Sequence, residues 1–319
     1  MVTLKEIADK AGVSITTVSN VINGKRDRVS PSMIEKIEEL IKEYNYIPRF
    51  GLNALTKRES KIIGVLISTP AYVENTLFEK PFYGIVFEEL EEYFRSKGYY
   101  IMVISSKEPD EIIRMALGWN LDGLIVVSMI KKVFDVIRTK IDKPIVSIDM
   151  DIISDKEIED CYNVTSEDKK AGQIMVQYLA KKGCKSIKYY ANADHGADYL
   201  RYLGAKKEYM KRFNQKLSFE LLEKNIEDRY AQYEKIEKYA GQDLALFFSN
   251  DLNAVEIIGY LLRRGYKIPR DFSIVGMDDD IYARLSVPSL TTLRIPVKEK
   301  AIIAAQMLLD LIEGKEVGP

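Results

Sequence analysis

A run of short hydroxyl and amide side chains lies between Ser14 and Asn23, in the segment S-I-T-T-V-S-N-V-I-N. Serine, threonine and asparagine carry the hydrogen-bonding groups that reach base edges and phosphates in nucleic-acid recognition. Apolar residues such as Val18 and Val21 recur in the same segment at helical spacing, so one face of a helix can be buried. The other face carries Ile15, Thr16, Ser19 and Asn20.

Two further helices are predicted around this segment. Thr3 and Glu6 have the spacing of a capping box, which fixes the start of a first helix. Gly12 can end that helix in a left-handed conformation, and Ser14 can cap the next one. A third helix is predicted to begin at Ser30, because Pro31 then occupies its first position. The first two helices form a helix-turn-helix, although an ordinary helical hairpin has the same pattern.

The residues after the third helix favour a helix-turn-helix over an ordinary helical hairpin. Y-N-Y-I-P occupies residues 44–48 and R-F-G-L-N-A-L-T occupies residues 49–56. Together with V-S-I-T-T-V-S-N-V-I-N-G, these motifs closely resemble the LacI/GalR family of bacterial transcription regulators, from Thr3 to about Gly314. The resemblance implies a DNA-binding head at residues 1–47, a hinge helix or linker at 48–60, and an effector-binding and dimerisation domain at 61–319.

The resemblance also implies the DNA contacts. In the family, the segment matching residues 49–56 folds on DNA and inserts a leucine into the minor groove, and Leu55 holds that position. Asn20 stands where an arginine is frequent, which shifts the expected base from guanine toward adenine. Phe50 and Gly51 make this hinge a poorer helix in the absence of DNA. The expected contacts are Thr3, Ser14, Ile15, Thr16, Thr17, Ser19, Asn20, Asn23 and Leu55.

The composition is that of a soluble globular protein. The chain has 319 residues, of which 46% are hydrophobic and 30% charged, and its net charge is −1. DNA binding must therefore depend on local arrangement and not on overall charge. We find no membrane-spanning stretch and no signal peptide, and we expect a cytoplasmic protein. Cys161 and Cys184 lack metal-site spacing and are expected to be reduced, and no cofactor is expected.

From Lys61 onward, apolar runs alternate with amphipathic helical segments. I-I-G-V-L-I, Y-I-M-V-I, G-L-I-V-V and I-V-S-I are nearly continuous runs of β-branched and apolar residues, and similar runs begin near residues 187, 244 and 272. Such strands are buried on both faces, as in parallel sheets covered by helices. We predict two doubly wound parallel sheets, each the core of one lobe.

The family resemblance suggests how these lobes are assembled. The segment T-T-L at residues 291–293 should return the chain to the first lobe. The first lobe then comprises about 61–162 plus 291–319, and the second about 163–290. This is a periplasmic-binding-protein-like architecture, in which a ligand binds in the cleft between the lobes.

Six residues are candidates for this ligand cleft. Phe82 and Tyr83 follow Lys80-Pro81 and resemble the aromatic segment that stacks on a sugar ring, although either residue could belong to the core. Asp149 ends a predicted strand and matches a carboxylate that similar proteins direct at the ligand. The remaining candidates are Arg201, Asn250 and Asp278.

Those three residues match family motifs in the second lobe. Arg201 begins R-Y-L-G, Asn250 begins N-D-L-N-A, and Asp278 ends G-M-D. A guanidinium, an amide and carboxylates can together bind the hydroxyl groups of a polyol. Asp279 and Asp280 are expected instead to form a turn or a helix cap.

Other functions fit the sequence less well. Paired carboxylates could serve an enzyme, but the single histidine, His195, has no nucleophile motif around it and is expected to lie in a loop beside the cleft. A transport binding protein would be expected to carry a signal sequence in place of residues 1–60. We therefore predict a non-enzymatic, ligand-responsive repressor that binds a palindromic operator as a homodimer. The predicted effector is a neutral monosaccharide, pentose before hexose, with a purine as the alternative.

Overall fold

The computed structural model describes residues 2–22, 25–44, 46, 59–67, 80–106, 108–152 and 161–318. The chain forms two compact units, Met1–Ser60 and Lys61–Pro319. The predicted contacts Asn23 and Leu55, and residues 48–58 of the predicted hinge, lie outside the described residues.

The first unit contains three helices whose boundaries follow from local sequence. In the first, the hydroxyl of Thr3 accepts a hydrogen bond from the Glu6 N–H and the Glu6 carboxylate accepts one from the Thr3 N–H, so the predicted capping box is present. Gly12 ends this helix with φ of 74°. The helices are α1 (Leu4–Ala11), α2 (Ile15–Ile22) and α3 (Pro31–Glu43), with a 3₁₀ turn at Arg26–Arg28.

A small apolar core joins these helices. Ile7 and Ala11 of α1, Val18 and Val21 of α2, and Ile37 of α3 are all at most 3% exposed. The apolar stripes that the sequence places on each helix therefore face one another, and the polar face of α2 stays outside the core.

In the second unit, the first lobe is built on a parallel sheet. Among the described residues its strand order is β2-β1-β3-β4-β5, and its central strands are buried along nearly their whole length. The strands are β1 (Ile62–Ile67), β2 (Tyr100–Ile104), β3 (Gly123–Val127), β4 (Ile145–Ile148) and β5 (Tyr162–Val164). The helices that follow them are α4 (Pro81–Ser96), α5 (Pro109–Gly118) and α6 (Lys131–Arg138).

The second lobe repeats this plan with a smaller parallel sheet. Its described strands have the order β7-β6-β8-β9. They are β6 (Ser186–Ala191), β7 (Ser218–Leu221), β8 (Leu244–Phe248) and β9 (Ser273–Val275). The helices are α7 (Asp168–Lys181), α8 (Gly196–Phe213), α9 (Ile226–Glu234), α10 (Asp251–Arg263) and α11 (Ile281–Leu285), with a 3₁₀ turn at Glu237–Tyr239.

The last helix, α12 (Val297–Ile312), returns to the first lobe. It packs on α4, β3 and β4, and it buries Ala301, Ala304 and Leu308 completely. The chain reaches it along a segment that pairs with the end of β9, since the Gly276 N–H donates to the Thr291 carbonyl at 3.0 Å. The side chains of α12 are thereby brought to the first sheet from the far end of the sequence.

Candidate functional site

Most of the candidate cleft residues follow the carboxyl ends of strands. Asp149 comes directly after β4 in the first lobe, whereas Asn250 and Asp278 follow β8 and β9 in the second. Arg201 joins them from α8. Because the carboxyl ends of parallel strands lie at one edge of a sheet, these residues occupy the edge at which open α/β sheets bind ligands.

Asp149 is paired with a lysine from the last helix. Nζ of Lys300 lies 2.5 Å from Oδ2 of Asp149, and Lys300 is only 3% exposed. The same ammonium group lies 5.2 Å from the centroid of the Phe82 ring. Asp149 adopts a positive φ of 48°, and its N–H donates to the carbonyl of Val164 at 3.0 Å. Its backbone is therefore held at the strand end by β5.

Arg201 is buried among hydrogen-bond acceptors of the second lobe. Its Nε donates to Oδ1 of Asp168 at 2.8 Å, and its Nη1 donates to the carbonyl of Ser249 at 2.6 Å. Nη1 also lies 3.3 Å from Oδ1 of Asp278. Arg201 therefore orders the carboxylates around it, a structural role that the sequence analysis did not assign to it.

Two glycines allow α7 and α8 to approach closely enough for the Arg201–Asp168 pair. A Cβ on Gly172 would lie 1.9 Å from the carbonyl oxygen of Arg201, and one on Gly204 would lie 1.7 Å from that of Lys169. Any larger residue would push the helices apart. Gly204 is the glycine of the R-Y-L-G motif, so the spacing of that motif has a packing reason.

In this cluster, burial and the neighbouring charges shift the pKa of each group in opposite directions. Burial opposes the charge on Arg201, but the carboxylates of Asp168 and Asp278 hold its pKa above the ordinary value. Burial also raises the pKa of Asp168, although Arg201 lowers it. For Asp278, burial raises the pKa to about 8 against the opposing effect of Arg201. The raised pKa makes it easier for Asp278 to take up a proton, and a protonated carboxyl group can donate a hydrogen bond as well as accept one.

Asp251, the first residue of α10, bonds to Thr292 and to the segment that follows Asp278. It is fully buried, its Oδ1 accepts from the Thr292 hydroxyl at 2.6 Å, and its Oδ2 accepts from the Asp280 N–H at 3.0 Å. Burial raises the pKa of Asp251 to about 7. Asp280 caps α11, as predicted from the sequence, because its carboxylate accepts from two N–H groups of that helix. Asp279 forms an ion pair with Arg294 at 2.7 Å.

The two candidate aromatics differ in their surroundings. Tyr83 is 5% exposed and belongs to the core, which is one of the two alternatives that the sequence left open. Phe82 is half-buried, with its ring centroid 5.2 Å from that of Tyr83 in an edge-to-face arrangement. Phe82 is therefore the aromatic that retains accessible surface in the first turn of α4.

Lys80 precedes the same helix and interacts electrostatically with carboxylates of the second lobe. Burial lowers its pKa, while Asp198 and Asp278 of the second lobe raise it. A lysine of the first lobe therefore lies close enough to interact electrostatically with carboxylates of the second. The motif that contains Lys80 indicated no role for this lysine.

Asn250 has a structural task at the start of α10. Its Oδ1 accepts a hydrogen bond from the Asn253 N–H at 2.9 Å, which makes it the N-cap of the helix. Its Nδ2 lies 3.4 Å from Oγ of Ser249. The cap uses one of the two lone pairs of the side-chain oxygen, so the ligand contact predicted for Asn250 stays a prediction.

His195 lies beside the cleft and connects the two lobes. Its Nδ1 is 2.6 Å from Oδ1 of Asp151, which follows β4. The neighbouring Gly196 N–H donates to the carbonyl of Ile152 at 2.9 Å. Burial raises the pKa of Asp151, and the hydrogen bond to His195 lowers it.

In the first unit, the candidate DNA contacts fall into two groups. Thr3, Ser14 and Thr17 make local bonds at helix starts, because the Thr3 hydroxyl bonds to Glu6 and Oγ of Ser14 accepts from the Thr17 N–H at 3.1 Å. Four others lie outside the core of the unit, with Ile15 46% exposed. These four are Ile15, Thr16, Ser19 and Asn20.

The cleft is rich in hydrogen-bonding groups and suited to binding. Carboxylates, a guanidinium, an ammonium and an amide lie at the edges of the two sheets, with Phe82 beside them. Within the described parts of the chain, no group of His, Cys, Asp and Glu side chains could hold a metal ion. The described helices include none with the length and apolar character to cross a membrane.

Sequence reasoning missed several residues of this cleft. Lys300 lies 151 positions from Asp149 in the sequence. Its helix contains no recognisable motif, so the pairing could not be predicted. Asp168 lies in no motif that the sequence singled out. Asp151 stands two residues beyond Asp149, and its contact with His195 depends on how the lobes meet. Each of these contacts needs tertiary structure to be recognised.

Each of the two units matches a known protein family. Residues 3–49 match the family described as bacterial regulatory proteins, lacI family, and residues 176–319 match a periplasmic binding protein-like domain. These matches agree with the predicted helix-turn-helix head and two-lobed α/β domain.

Individual relatives cover nearly the whole chain. The HTH-type transcriptional repressor PurR of Vibrio vulnificus (strain CMCP6) is 28% identical over 99% of this chain and 93% of its own length. The ribose operon repressor of Lactococcus lactis subsp. lactis (strain IL1403) is 25% identical, with the same coverage. Among solved structures, the lac repressor dimer bound to operator and the anti-inducer ONPF superposes with a TM-score of 0.81 at 23% identity, over 99% of this chain and 94% of that one. The predicted fold class is thereby confirmed.

Proposed function

The chain belongs to the lacI family of bacterial regulatory proteins, and from this premise we propose that it controls a carbohydrate-utilisation operon in response to a small neutral sugar. It is a ligand-responsive DNA-binding repressor and not an enzyme. The operator is read by the head, and the effector is bound by the two-lobed domain. The identity of the sugar and the form of the assembly belong to the proposal.

The arrangement of Asp149, Arg201 and Asp278 carries the proposal of a sugar. These groups come from both lobes and offer acceptors and donors to hydroxyl groups, while Phe82 offers an aromatic surface to the C–H patches of a ring. Acidic and basic groups are paired with each other, as in the contacts of Asp149 with Lys300 and of Arg201 with Asp168. A neutral ligand suits such a balanced site better than an anion.

A purine base is the alternative effector, because the ring of Phe82 could stack on a base as well as on a sugar. A purine base has ring N–H donors but no hydroxyl groups, so it offers fewer donors to the cleft carboxylates than a sugar does. The sugar is therefore favoured, and a pentose before a hexose. A relative at 25% identity represses a ribose operon, which supports the same class of effector.

We propose a homodimer that acts in the cytoplasm and binds a palindromic operator. One head contacts only a half-site, and a second head related by a two-fold axis supplies the other. Large apolar side chains exposed on and after α11 offer a surface that dimerisation would bury: Ile281 at 45%, Leu285 at 72% and Val287 at 81% exposure. A related lac repressor is a dimer on its operator.

A thermal-shift screen of the purified chain tests the proposed effector class. A compound that binds only the folded protein raises the melting temperature, and the rise grows with the ratio of its concentration to its Kd. Pentoses, hexoses, sugar phosphates and nucleobases are compared at equal concentration. We expect the largest rise with a neutral sugar, and a rise with nucleobases alone would favour the alternative.

A further inference from the structure

The buried pair of Lys300 and Asp149 has features that a purely structural ion pair does not need. Lys300 is 3% exposed and approaches Oδ2 of Asp149 at 2.5 Å. The other carboxylate oxygen, Oδ1, is also buried, and among the described residues it has no hydrogen-bond partner. A buried acceptor without a donor is costly, and nearly all such atoms in folded proteins are satisfied by protein, water or ligand.

The position of this pair places the unused acceptor at the cleft. Asp149 lies at the carboxyl end of β4, and the hydrogen bond from its N–H to Val164 fixes its backbone there. Asp149 raises the pKa of Asp168 in the second lobe, and Lys300 lowers it. Both members of the pair are therefore within electrostatic range of the cluster around Arg201 on the opposite side of the cleft.

Among the described residues, the ammonium group of Lys300 hydrogen-bonds only to Asp149, which leaves donors for a ligand. An ammonium group carries three N–H bonds, and the contact with Oδ2 of Asp149 uses one of them. The same group lies 5.2 Å from the ring centroid of Phe82, the aromatic with accessible surface. A fixed acceptor, a fixed donor and an aromatic face thus lie side by side in the first lobe.

We propose that Lys300 positions the Asp149 carboxylate and is itself a specificity-determining residue, so that the cleft selects an effector with two adjacent hydroxyl groups. One hydroxyl donates to Oδ1 of Asp149, and its neighbour accepts from Nζ of Lys300. This inference rests on the proposed sugar-binding function and specifies which feature of the sugar is read. An anionic group at this position would face the free oxygen of a carboxylate and is disfavoured.

Binding of single-deoxy sugars tests whether Lys300 and Asp149 bind two adjacent hydroxyl groups. The probes are D-ribose, D-xylose and D-glucose with their single-deoxy analogues, and hypoxanthine as a non-sugar, measured by isothermal titration calorimetry on the full chain. We expect two analogues of the bound sugar, lacking neighbouring hydroxyls, to bind about 10- to 100-fold more weakly than the parent, because a site built to bond a hydroxyl is left unsatisfied without it.

Three variants test whether the weaker binding of the deoxy analogues depends on this ion pair: Lys300→Met, Lys300→Arg and Asp149→Asn. In Lys300→Met, the preference for the parent sugar over the analogue lacking the accepting hydroxyl should fall at least about fivefold, and Lys300→Arg should restore part of it. A double-mutant cycle of Lys300→Met with Asp149→Asn should show strong coupling in sugar binding. Lys298→Met is the matched control, since Lys298 lies on the same helix and pairs with Glu89.

The possible results separate this inference from the proposed function. If a sugar binds and Lys300→Met weakens the parent and all analogues equally, or lowers only the melting temperature, the pair is structural and the inference is wrong while the sugar-binding function stands. If hypoxanthine alone binds, or no sugar does, the proposed function is wrong and the inference fails with it. Loss of discrimination in Lys300→Met, with Lys298→Met unchanged, supports both.

Discussion

Nδ1 of His195, in the second lobe, lies 2.6 Å from Oδ1 of Asp151, in the first. The contact is tight, because a Cβ on the adjacent Gly196 would lie 2.6 Å from the same oxygen. A backbone hydrogen bond from Gly196 to Ile152 lies beside it. The two lobes are thus joined at one edge of the cleft by a side-chain contact, which we expect to form only when they close.

Breaking this contact should weaken effector binding. A ligand that touches both lobes favours the closed cleft, and any interaction present only in that state adds to its apparent affinity. We expect His195→Ala to lower the affinity for the bound sugar about three- to tenfold, the effect of about one hydrogen bond. Calorimetry measures it, with the exposed neighbour Asp194→Ala as the control. Equal affinities in wild type and His195→Ala would show that the contact does not contribute to closure.

Removing Arg201 should destabilise the protein as well as the site. Arg201→Met leaves the buried Asp168 carboxylate and the Ser249 carbonyl without their donor and removes the contact with the half-buried Asp278. Breaking one side of a buried ion pair costs about 3–5 kcal/mol of unfolding free energy. Arg95→Met is the control, because Arg95 and Glu91 form an exposed ion pair one turn apart on α4. Urea unfolding measures both variants, and similar midpoints would contradict the structural role of Arg201.

Asp278 should make stability depend on pH. Its pKa is raised by burial to about 8 from an ordinary 3.8, so between these values the folded state retains a proton that the unfolded state has lost. The unfolding free energy should therefore fall as pH rises from about 4 to about 8. Asp278→Asn removes this contribution, so its stability should fall less than that of wild type over the same range. Parallel curves for the two proteins from urea titrations would rule out the raised pKa.

Asn20 should determine one base of each half-site. Asn20→Ala should cost about 1–3 kcal/mol at an adenine-containing position, because an asparagine amide can form two hydrogen bonds with adenine. Selection of operators from a randomised DNA pool, followed by titration, measures the preference. Thr16→Ala on the exposed face of α2 is a matched comparison. Equal losses on every sequence would make Asn20 a backbone contact.

Leu55, outside the described residues, is predicted to act only on DNA. Leu55→Ala should weaken operator binding while leaving sugar affinity unchanged, because a side chain inserted between base steps stabilises a bent duplex. Gel-shift titration and calorimetry on the same preparation provide the two readings. An unchanged operator dissociation constant would remove Leu55 from the mechanism.

The helices and long strands could be predicted from the sequence because each has a local residue pattern that is typical of its structure. The capping box of Thr3 and Glu6, the αL position of Gly12 and the apolar run of β3 need no tertiary partner to be recognised. The strands β5 and β7 were not predicted, since they have only three and four residues and keep half-buried polar side chains. Pairing with their neighbours, and not their own composition, makes them strands.

The candidate cleft was predictable only in part. Asp149 and Asp278 could be found because they follow strands in recognisable motifs. Lys300 could not, since it lies on a helix that returns to the first lobe after the second is complete. Asn250 shows a different limit, because its motif indicates a ligand contact while its carbonyl oxygen caps a helix. Sequence located the residues, and packing decided what their atoms are bonded to.

The most direct test is the operator dissociation constant with and without the sugar that gives the largest thermal shift. Fluorescence anisotropy with a selected operator measures it for wild type and for Asp149→Asn. We predict that saturating sugar changes the wild-type constant by about tenfold or more, a coupling typical of allosteric proteins, and changes that of Asp149→Asn much less. A sugar that saturates the cleft of the wild type and leaves its operator affinity unchanged would contradict the account.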